Sequence, residues 1–301
     1  MLSKLLIPVD GSTCAEDAAR YGLRLAHRVG ASVVLANVAY VQRIHGMQDL
    51  DSEREPYLAR GRQLLEDYER RAQKYGVPVT TRLVQDAKIG DAIVKIAQED
   101  GCDVILMGTH GREGLGRFLL GSVAERVTRA SSVPVMLVRG PAATSKTPVD
   151  RILLPVDGSD VSQAAVDYAG NLARKTGAEV RLLYVLPDLP ASPDSSSTEY
   201  ADLDRLSRDL RREGEIVLAS ARERLGVATA PTLLYEANGE RIGDVIARVA
   251  HDEGVGMVVM GTHGRGGWDR LLLGSVAERV AHKAEVPVLL VRKAPNRETP
   301  A

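Results

Sequence analysis

Residues 107–127 read MGTHGREGLGRFLLGSVAERV, and residues 260–280 read MGTHGRGGWDRLLLGSVAERV. In both stretches an apolar run leads into the first glycine and a helix-compatible run follows the last. The glycines keep one spacing: Gly108, Gly111 and Gly121 in the first, Gly261, Gly264 and Gly274 in the second, with Ser122 and Ser275 directly after. A glycine-rich loop that carries a strand into a helix N-terminus offers backbone N–H groups and the positive end of the helix dipole to an anion. The competing reading is a turn whose glycines only bend the chain from strand into helix. Both copies descend from one segment, so the second adds little to the choice.

The repeat extends outward from this loop. LIPVDGS at 6–12 returns as LLPVDGS at 153–159, IGDAIVKIA at 89–97 as IGDVIARVA at 242–250, and SVPVMLVR at 132–139 as EVPVLLVR at 285–292. Residues 89–139 align with 242–292 without a gap, and 29 of 51 positions are identical. A period of roughly 150 residues is a domain, not a solenoid unit. We therefore expect one domain over 1–143 and a second over 149–294, joined by the polar stretch GPAATSKTPVD at 140–150. The offset between copies grows from 147 at Asp10/Asp157 to 153 at Gly108/Gly261, and the extra residues are expected near PDLPASPDSSST at 187–198, a Pro- and Ser-rich loop.

Length and composition narrow the class. The 301 residues suffice for two cores. A net charge of −1 gives no electrostatic case for nucleic-acid binding. No apolar run approaches the ~20 residues of a membrane span, and MLSKLLIPVD lacks a secretory pattern, so a cytoplasmic protein is expected. Cys14 and Cys102 have no counterparts in the second copy and form no disulfide framework or metal spacing. One Phe and one Trp leave the core to Val, Leu, Ile and Ala, which suits parallel strands covered by helices.

Periodicity gives alternating strands and helices in each copy. The first copy reads as strands at 5–9, 32–40, 77–84, 103–108 and 133–139, with helices at about 13–29, 52–75, 89–100 and 121–130. Alternation of this kind implies a parallel sheet with right-handed crossovers. If the first strand lies beside the strand before the glycine loop, their carboxyl ends flank a topological switch point, where open α/β sheets bind ligands. Asp10 and Gly108 would then face one crevice, and Asp157 and Gly261 another.

The residues around that crevice suit a phosphorylated ligand. Ser122 can cap the helix or donate to a phosphate, and the N–H groups of Ser122 and Val123 point out of the helix N-terminus. Arg112 and Arg117, with Arg265 and Arg270, add positive charge. Asp10 can accept from an amino group or a ribose hydroxyl, or can simply cap the first helix. The loop lacks the Walker A lysine, and its glycines are too far apart for the dinucleotide fingerprint. His110 and His263 read as loop hydrogen-bonders rather than bases or metal ligands, and Cys14 as a packed helix residue rather than a reactive thiol.

With PVDGS at one end and G-x₂-G-x₉-G-S after an apolar strand, the chain resembles the universal stress protein family over nearly its whole length, twice. The resemblance implies an α/β fold of two tandem open parallel five-stranded sheets, order 3-2-1-4-5, with helices on both faces, similar to the adenine-nucleotide alpha-hydrolase architecture. It implies the ATP-binding branch of the family, which keeps the glycine-and-serine loop, possible Mg²⁺ bridging included. By that resemblance Pro8, Val9, Asp10 and Val38 line the adenosine, Met107 and Gly108 the ribose side, and Gly111, Arg112, Gly121, Ser122 and Val123 the phosphates. Pro155, Val156, Asp157, Val185, Met260, Gly261, Gly264, Arg265, Gly274, Ser275 and Val276 match in the second copy. Trp268 and Asp269 replace Leu115 and Gly116, and an aspartate there would weaken anion binding in the second site. Family members pair through their last strands, which makes VPVMLVR and VPVLLVR candidates for an internal pseudo-dimer. A further homodimer and a regulatory protein partner are also implied. The expected role is an ATP-binding stress-response regulator. The alternatives are a slow ATPase, which lacks paired carboxylates or a motif lysine at the loop, and a nucleotide-independent interaction module.

Overall fold

The computed structural model describes residues 2–40, 51–109, 120–139, 149–189, 198–227, 229–264 and 273–292. The first half runs β1 (Lys4–Pro8), α1 (Thr13–Val29), β2 (Ser32–Ala39), α2 (Asp51–Gln73), β3 (Val79–Gln85), α3 (Ile89–Glu99), β4 (Val104–Gly108), α4 (Ser122–Ala130) and β5 (Val135–Val138). The second repeats the order with β6 (Arg151–Pro155), α5 (Asp160–Thr176), β7 (Glu179–Leu186), α6 (Thr198–Leu225), β8 (Thr232–Glu236), α7 (Ile242–Asp252), β9 (Met257–Gly261), α8 (Ser275–Lys283) and β10 (Val288–Val291).

Within each half the strand order is the expected 3-2-1-4-5, all parallel. The centre of each sheet is where the sequence is uninterruptedly apolar: every residue of β4 and β9 is buried. The alternating segments β3 and β8 lie at the two outer edges. The two sheets do not stay separate. β5 and β10 pair antiparallel, with Val135, Met136 and Leu137 opposite Leu290, Leu289 and Val288, and the result is one ten-stranded sheet. Met136 and Leu289 are equivalent positions of the repeat and sit opposite each other, so a pseudo-two-fold axis passes between them. Pairing removes the two apolar edges that an isolated half would expose.

Each face of this sheet carries one continuous core built from both halves. Under α1, α2, α5 and α6 lie Leu5, Ile7, Leu106, Met136, Ile152, Leu154, Val259 and Leu289; under α3, α4, α7 and α8 lie Leu6, Ile105, Leu137, Leu153, Val258 and Leu290. At the rim of the seam Arg28 Nη1 meets Asp150 Oδ1 at 2.6 Å, its Nη2 donates to the Thr176 carbonyl at 3.1 Å, and Lys175 Nζ donates to the Leu2 carbonyl. Exposed ion pairs of this kind contribute little; the buried strand pair dominates.

Two expectations change. The stretch between β7 and α6 (187–197) is as long as that between β2 and α2 (40–50), and α2 and α6 start at 51 and 198, still 147 apart. The helix-terminating glycines Gly76 and Gly226 are 150 apart, and β3 and β8 start 153 apart. The extra residues therefore enter within α6 and the turn after it, not in the Pro- and Ser-rich loop. A longer helix adds intrahelical hydrogen bonds with each residue, which a longer loop does not. Second, the caps of α1 and α5 are Ser12 and Ser159, which accept from Ala15 N and Ser162 N; Asp10 is not the cap.

Tyr168, in α5, has a buried hydroxyl with no hydrogen-bond partner, and burial pushes its pKa upward. A buried hydroxyl without a partner costs stability that an apolar ring does not. Tyr168→Phe is accordingly expected to raise the unfolding free energy by about 1 kcal/mol in denaturant titration. A loss of stability would show that the hydroxyl has a partner after all.

Candidate functional site

β1 and β4 are neighbours, with Leu5 and Leu6 paired to Val104 and Ile105, so Val9 and Asp10 leave the sheet beside the end of β4. The same holds for β6 and β9. Pro8 and Pro155 are half-buried and Val9 and Val156 buried. The aspartates that follow are fixed by their own turns. Asp10 Oδ1 accepts from Ser12 N at 2.9 Å. Asp157 Oδ1 accepts from Ser159 N at 3.0 Å and from Ser159 Oγ at 2.7 Å. Turn and cap thus interlock: the serine that caps the helix also holds the carboxylate.

Across from them, Gly108 and Gly261 are packing positions rather than open ones. A Cβ on Gly108 would stand 2.8 Å from the Cys14 carbonyl oxygen, and one on Gly261 2.9 Å from Val161 Cγ1. The first turn of α1 or α5 lies directly on these glycines. In the second half Gly264 also approaches the carboxylate, with its missing Cβ 2.6 Å from Asp157 Oδ2. Met107 and Met260, one residue earlier, are buried at 6% exposure each.

The ends of the glycine loop are tied together identically in both halves. Gly121 N donates to the Thr109 carbonyl, and Gly274 N to the Thr262 carbonyl, both at 2.8 Å. Thr109 and Thr262 are buried and held in turn by the strand beyond, through Thr109 N to Val138 O and Thr262 N to Val291 O. α4 and α8 spring from this closure with Gly121 and Gly274 as their N-caps, so no side chain caps either helix. Ser122 and Ser275 are the first helical residues, exposed, and do not cap; Val123 and Val276 follow, half-buried. The early N–H groups of these helices therefore have neither an intrahelical acceptor nor a side-chain cap.

α3 and α7 converge on the same place. Neither has a side-chain cap; the N-cap residues are Lys88 and Arg241. A cavity of about 350 Å³ lies between the N-termini of α3 and α4, lined by Ala87, Lys88, Ile89, Gly90, Asp91, Ser122, Val123 and Arg126. Gly90 lets the helices touch, since a Cβ there would meet Arg126 Cγ at 2.7 Å; Gly243 meets Arg279 Cβ at 2.8 Å in the same way. Arg126 Nε pairs with Asp91 at 2.6 Å and Arg279 Nε with Asp244 at 2.7 Å. Val38 and Val185, half-buried at the ends of β2 and β7, pack into the same core as Ile89 and Val123, or Ile242 and Val276. The residues of α3 and α7 were not singled out from sequence as site residues. Their signal was the repeat of IGDAIVKIA as IGDVIARVA, read there only as a helix.

Gly111, Arg112 and Arg265 lie outside the described residues, as do His110, Arg117, Arg270, Trp268 and Asp269. His263 Nδ1 lies 3.0 Å from Thr262 Oγ1, while its Nε2 is buried without a partner; burial, and then the Arg292 charge, push its pKa below the usual imidazole value. Cys102 is a packed residue whose thiol burial pushes up to about 11, and Cys14 is half-buried against Gly108.

Comparison with known proteins covers the whole chain. The model of the universal stress protein family matches residues 1–139 and again 148–292. A universal stress protein of Mycolicibacterium smegmatis is 28% identical over 304 residues, covering 96% of each chain. The universal stress protein MJ0531 of Methanocaldococcus jannaschii is 33% identical over 144 residues, 47% of this chain and 84% of its own. Among solved structures, a universal stress protein from Archaeoglobus fulgidus superposes with a TM-score of 0.69 at 22% identity, covering 97% of this chain and 99% of that one.

Proposed function

The chain belongs to the universal stress protein family, and we propose that each half binds ATP as a regulatory ligand in the crevice between its PVDGS turn and its glycine loop. The observation that carries this reading is the contrast among helix N-termini. α1 and α5 carry serine caps, whereas α3, α4, α7 and α8, the four that open on the crevices, carry none. Uncapped N–H groups at two converging helix ends favour a multiply charged anion. The apolar side chains of Val38 and Val185 suit a purine, and Asp10 and Asp157 suit ribose hydroxyls or an exocyclic amine.

In the first half Gly121, Ser122 and Val123 would hold the phosphates, Pro8, Val9, Asp10 and Val38 the adenosine, with Met107 and Gly108 beneath. In the second, Gly274, Ser275 and Val276 and then Pro155, Val156, Asp157 and Val185 take the same roles, with Met260, Gly261 and Gly264. Gly111, Arg112 and Arg265 would complete the loops. Among the described residues no three His, Cys, Asp or Glu side chains converge on a metal position. Magnesium would accompany the nucleotide as its counterion. We take 1–143 and 149–294 as the two binding domains, the cytoplasm as the location, and a further protein partner as the reader of nucleotide occupancy. No described helix is long and apolar enough to cross a membrane.

ATP at about 100 times its Kd is expected to contribute about 2.7 kcal/mol at each of the two sites, raising Tm of the single cooperative unit by about 8 °C. ATP should also be found by mass spectrometry in protein purified without added ligand. An unshifted Tm in millimolar ATP and a nucleotide-free preparation would together sink the reading.

A further inference from the structure

Arg139 and Arg292 hold the same place in the two halves, one residue past β5 and β10. Their surroundings differ. Arg139 Nη1 donates across the seam to the His282 carbonyl at the C-terminal end of α8, where a cation is favoured. Arg292 makes no equivalent contact: its Nε and Nη2 are both buried and both without a hydrogen-bond partner. A guanidinium does not shed its proton, so two charged donors of a half-buried side chain are left without an acceptor. Buried charged donors of this kind favour an anion that pairs with them.

A second unsatisfied group lies beside it. Thr262 N donates to Val291 O at 3.0 Å, which sets the end of β9 against the residue before Arg292. His263 follows Thr262, feels the Arg292 charge, and keeps its Nε2 buried and unpartnered. In the tautomer whose Nδ1 accepts from the Thr262 hydroxyl, Nε2 carries the proton and is a donor. Two guanidinium N–H groups on one edge of the fork lack an acceptor at the strand ends where, in that tautomer, one imidazole N–H lacks one too. Nε and Nη2 together match two oxygens of one anion. The third donor calls for a third oxygen, which a phosphate has and a carboxylate lacks.

We propose that Arg292 and His263 form a phosphate-binding subsite at the ends of β9 and β10, one that the first half does not share because Arg139 is satisfied by the His282 carbonyl. The phosphate is either inorganic phosphate or the distal phosphate of a nucleotide in the second crevice. The subsite does not depend on the nucleotide reading.

The test is titration of inorganic phosphate into the full chain, followed by ³¹P line broadening and calorimetry, for wild type, Arg292→Met, Arg292→Lys and Arg139→Met. Wild type and Arg139→Met are expected to bind phosphate equally, Arg292→Met at least 10-fold more weakly, and Arg292→Lys in between. In phosphate-free buffer Arg292→Met should melt no lower than wild type, because it removes two buried donors that have no acceptor. Should it fail to fold, Arg292→Lys carries the comparison. ATP and AMP separate the sources. A loss for ATP but not AMP in Arg292→Met assigns the distal phosphate, and a loss for inorganic phosphate alone assigns the free anion. Arg292→Met that takes up both inorganic phosphate and ATP as well as wild type overturns the proposal, as does wild type that takes up neither.

Discussion

Aspartate at both Gly121 and Gly274 is expected to lower ATP affinity at least about 100-fold, close to 2.7 kcal/mol, and to leave the protein folded. Neither glycine is needed for its backbone angles, since φ and ψ are −60° and 147° at Gly121 and −63° and 143° at Gly274, open to any residue. Space is the tighter condition: a Cβ on Gly274 would come within 3.0 Å of the Thr262 carbonyl oxygen, a few tenths of an ångström too close. Against that small strain, aspartate is among the best N-cap residues, so the helix gains the cap it lacks. The gain is what disables the site. The carboxylate takes the N–H groups that a phosphate would use and sets a negative charge where the ligand's own would lie. Charge-assisted hydrogen bonds contribute roughly 1.5–3 kcal/mol each, so losing two is enough. Each single variant should halve the stoichiometry in calorimetry and leave the other site intact. Unchanged affinity and stoichiometry in the double variant would show that the nucleotide does not sit on α4 and α8.

The fold was legible where the sequence carried a single dominant signal. Continuous apolar runs marked β4 and β9 as central, alternation marked β3 as an edge, and Gly30 ended α1 in the left-handed conformation only glycine adopts cheaply. The position of the glycine loop followed from its repeat. What the sequence hid were relations between elements. Gly108 reads as a ligand-facing glycine, but its constraint is the Cys14 carbonyl of α1, some 90 residues away in the chain. Asp10 and Ser12 are both good caps by type, and only the turn decides that the serine caps while the aspartate accepts from it. The α3 N-terminus carries no phosphate-loop signature at all. What brings it into the candidate site is its place against Ser122 and Val123, a contact made possible by Gly90. The difference between Arg139 and Arg292 is likewise invisible in the strings VMLVR and VLLVR.

Met136→Ala and Leu289→Ala are each expected to destabilise the whole chain by about 2–5 kcal/mol, and calorimetry of wild type to show one transition rather than two. Both side chains are fully buried, and they are register partners at the centre of the seam. Cavities there open at the junction of both halves, on the face where α1 and α5 meet. Because the core under each sheet face contains residues of both halves, unfolding one half would strip apolar cover from the other. A half on its own would also present β5 or β10 as a bare apolar edge. The two halves are thereby linked in one cooperative unit although the antiparallel seam points the carboxyl ends of β4 and β9 in opposite directions. The double variant should show a coupling of about 0.5–3 kcal/mol relative to the sum of the singles, as contacting residues do. Two separate transitions in wild type, with each substitution lowering only its own, would mean that the halves fold independently and that the seam is a contact rather than a shared core.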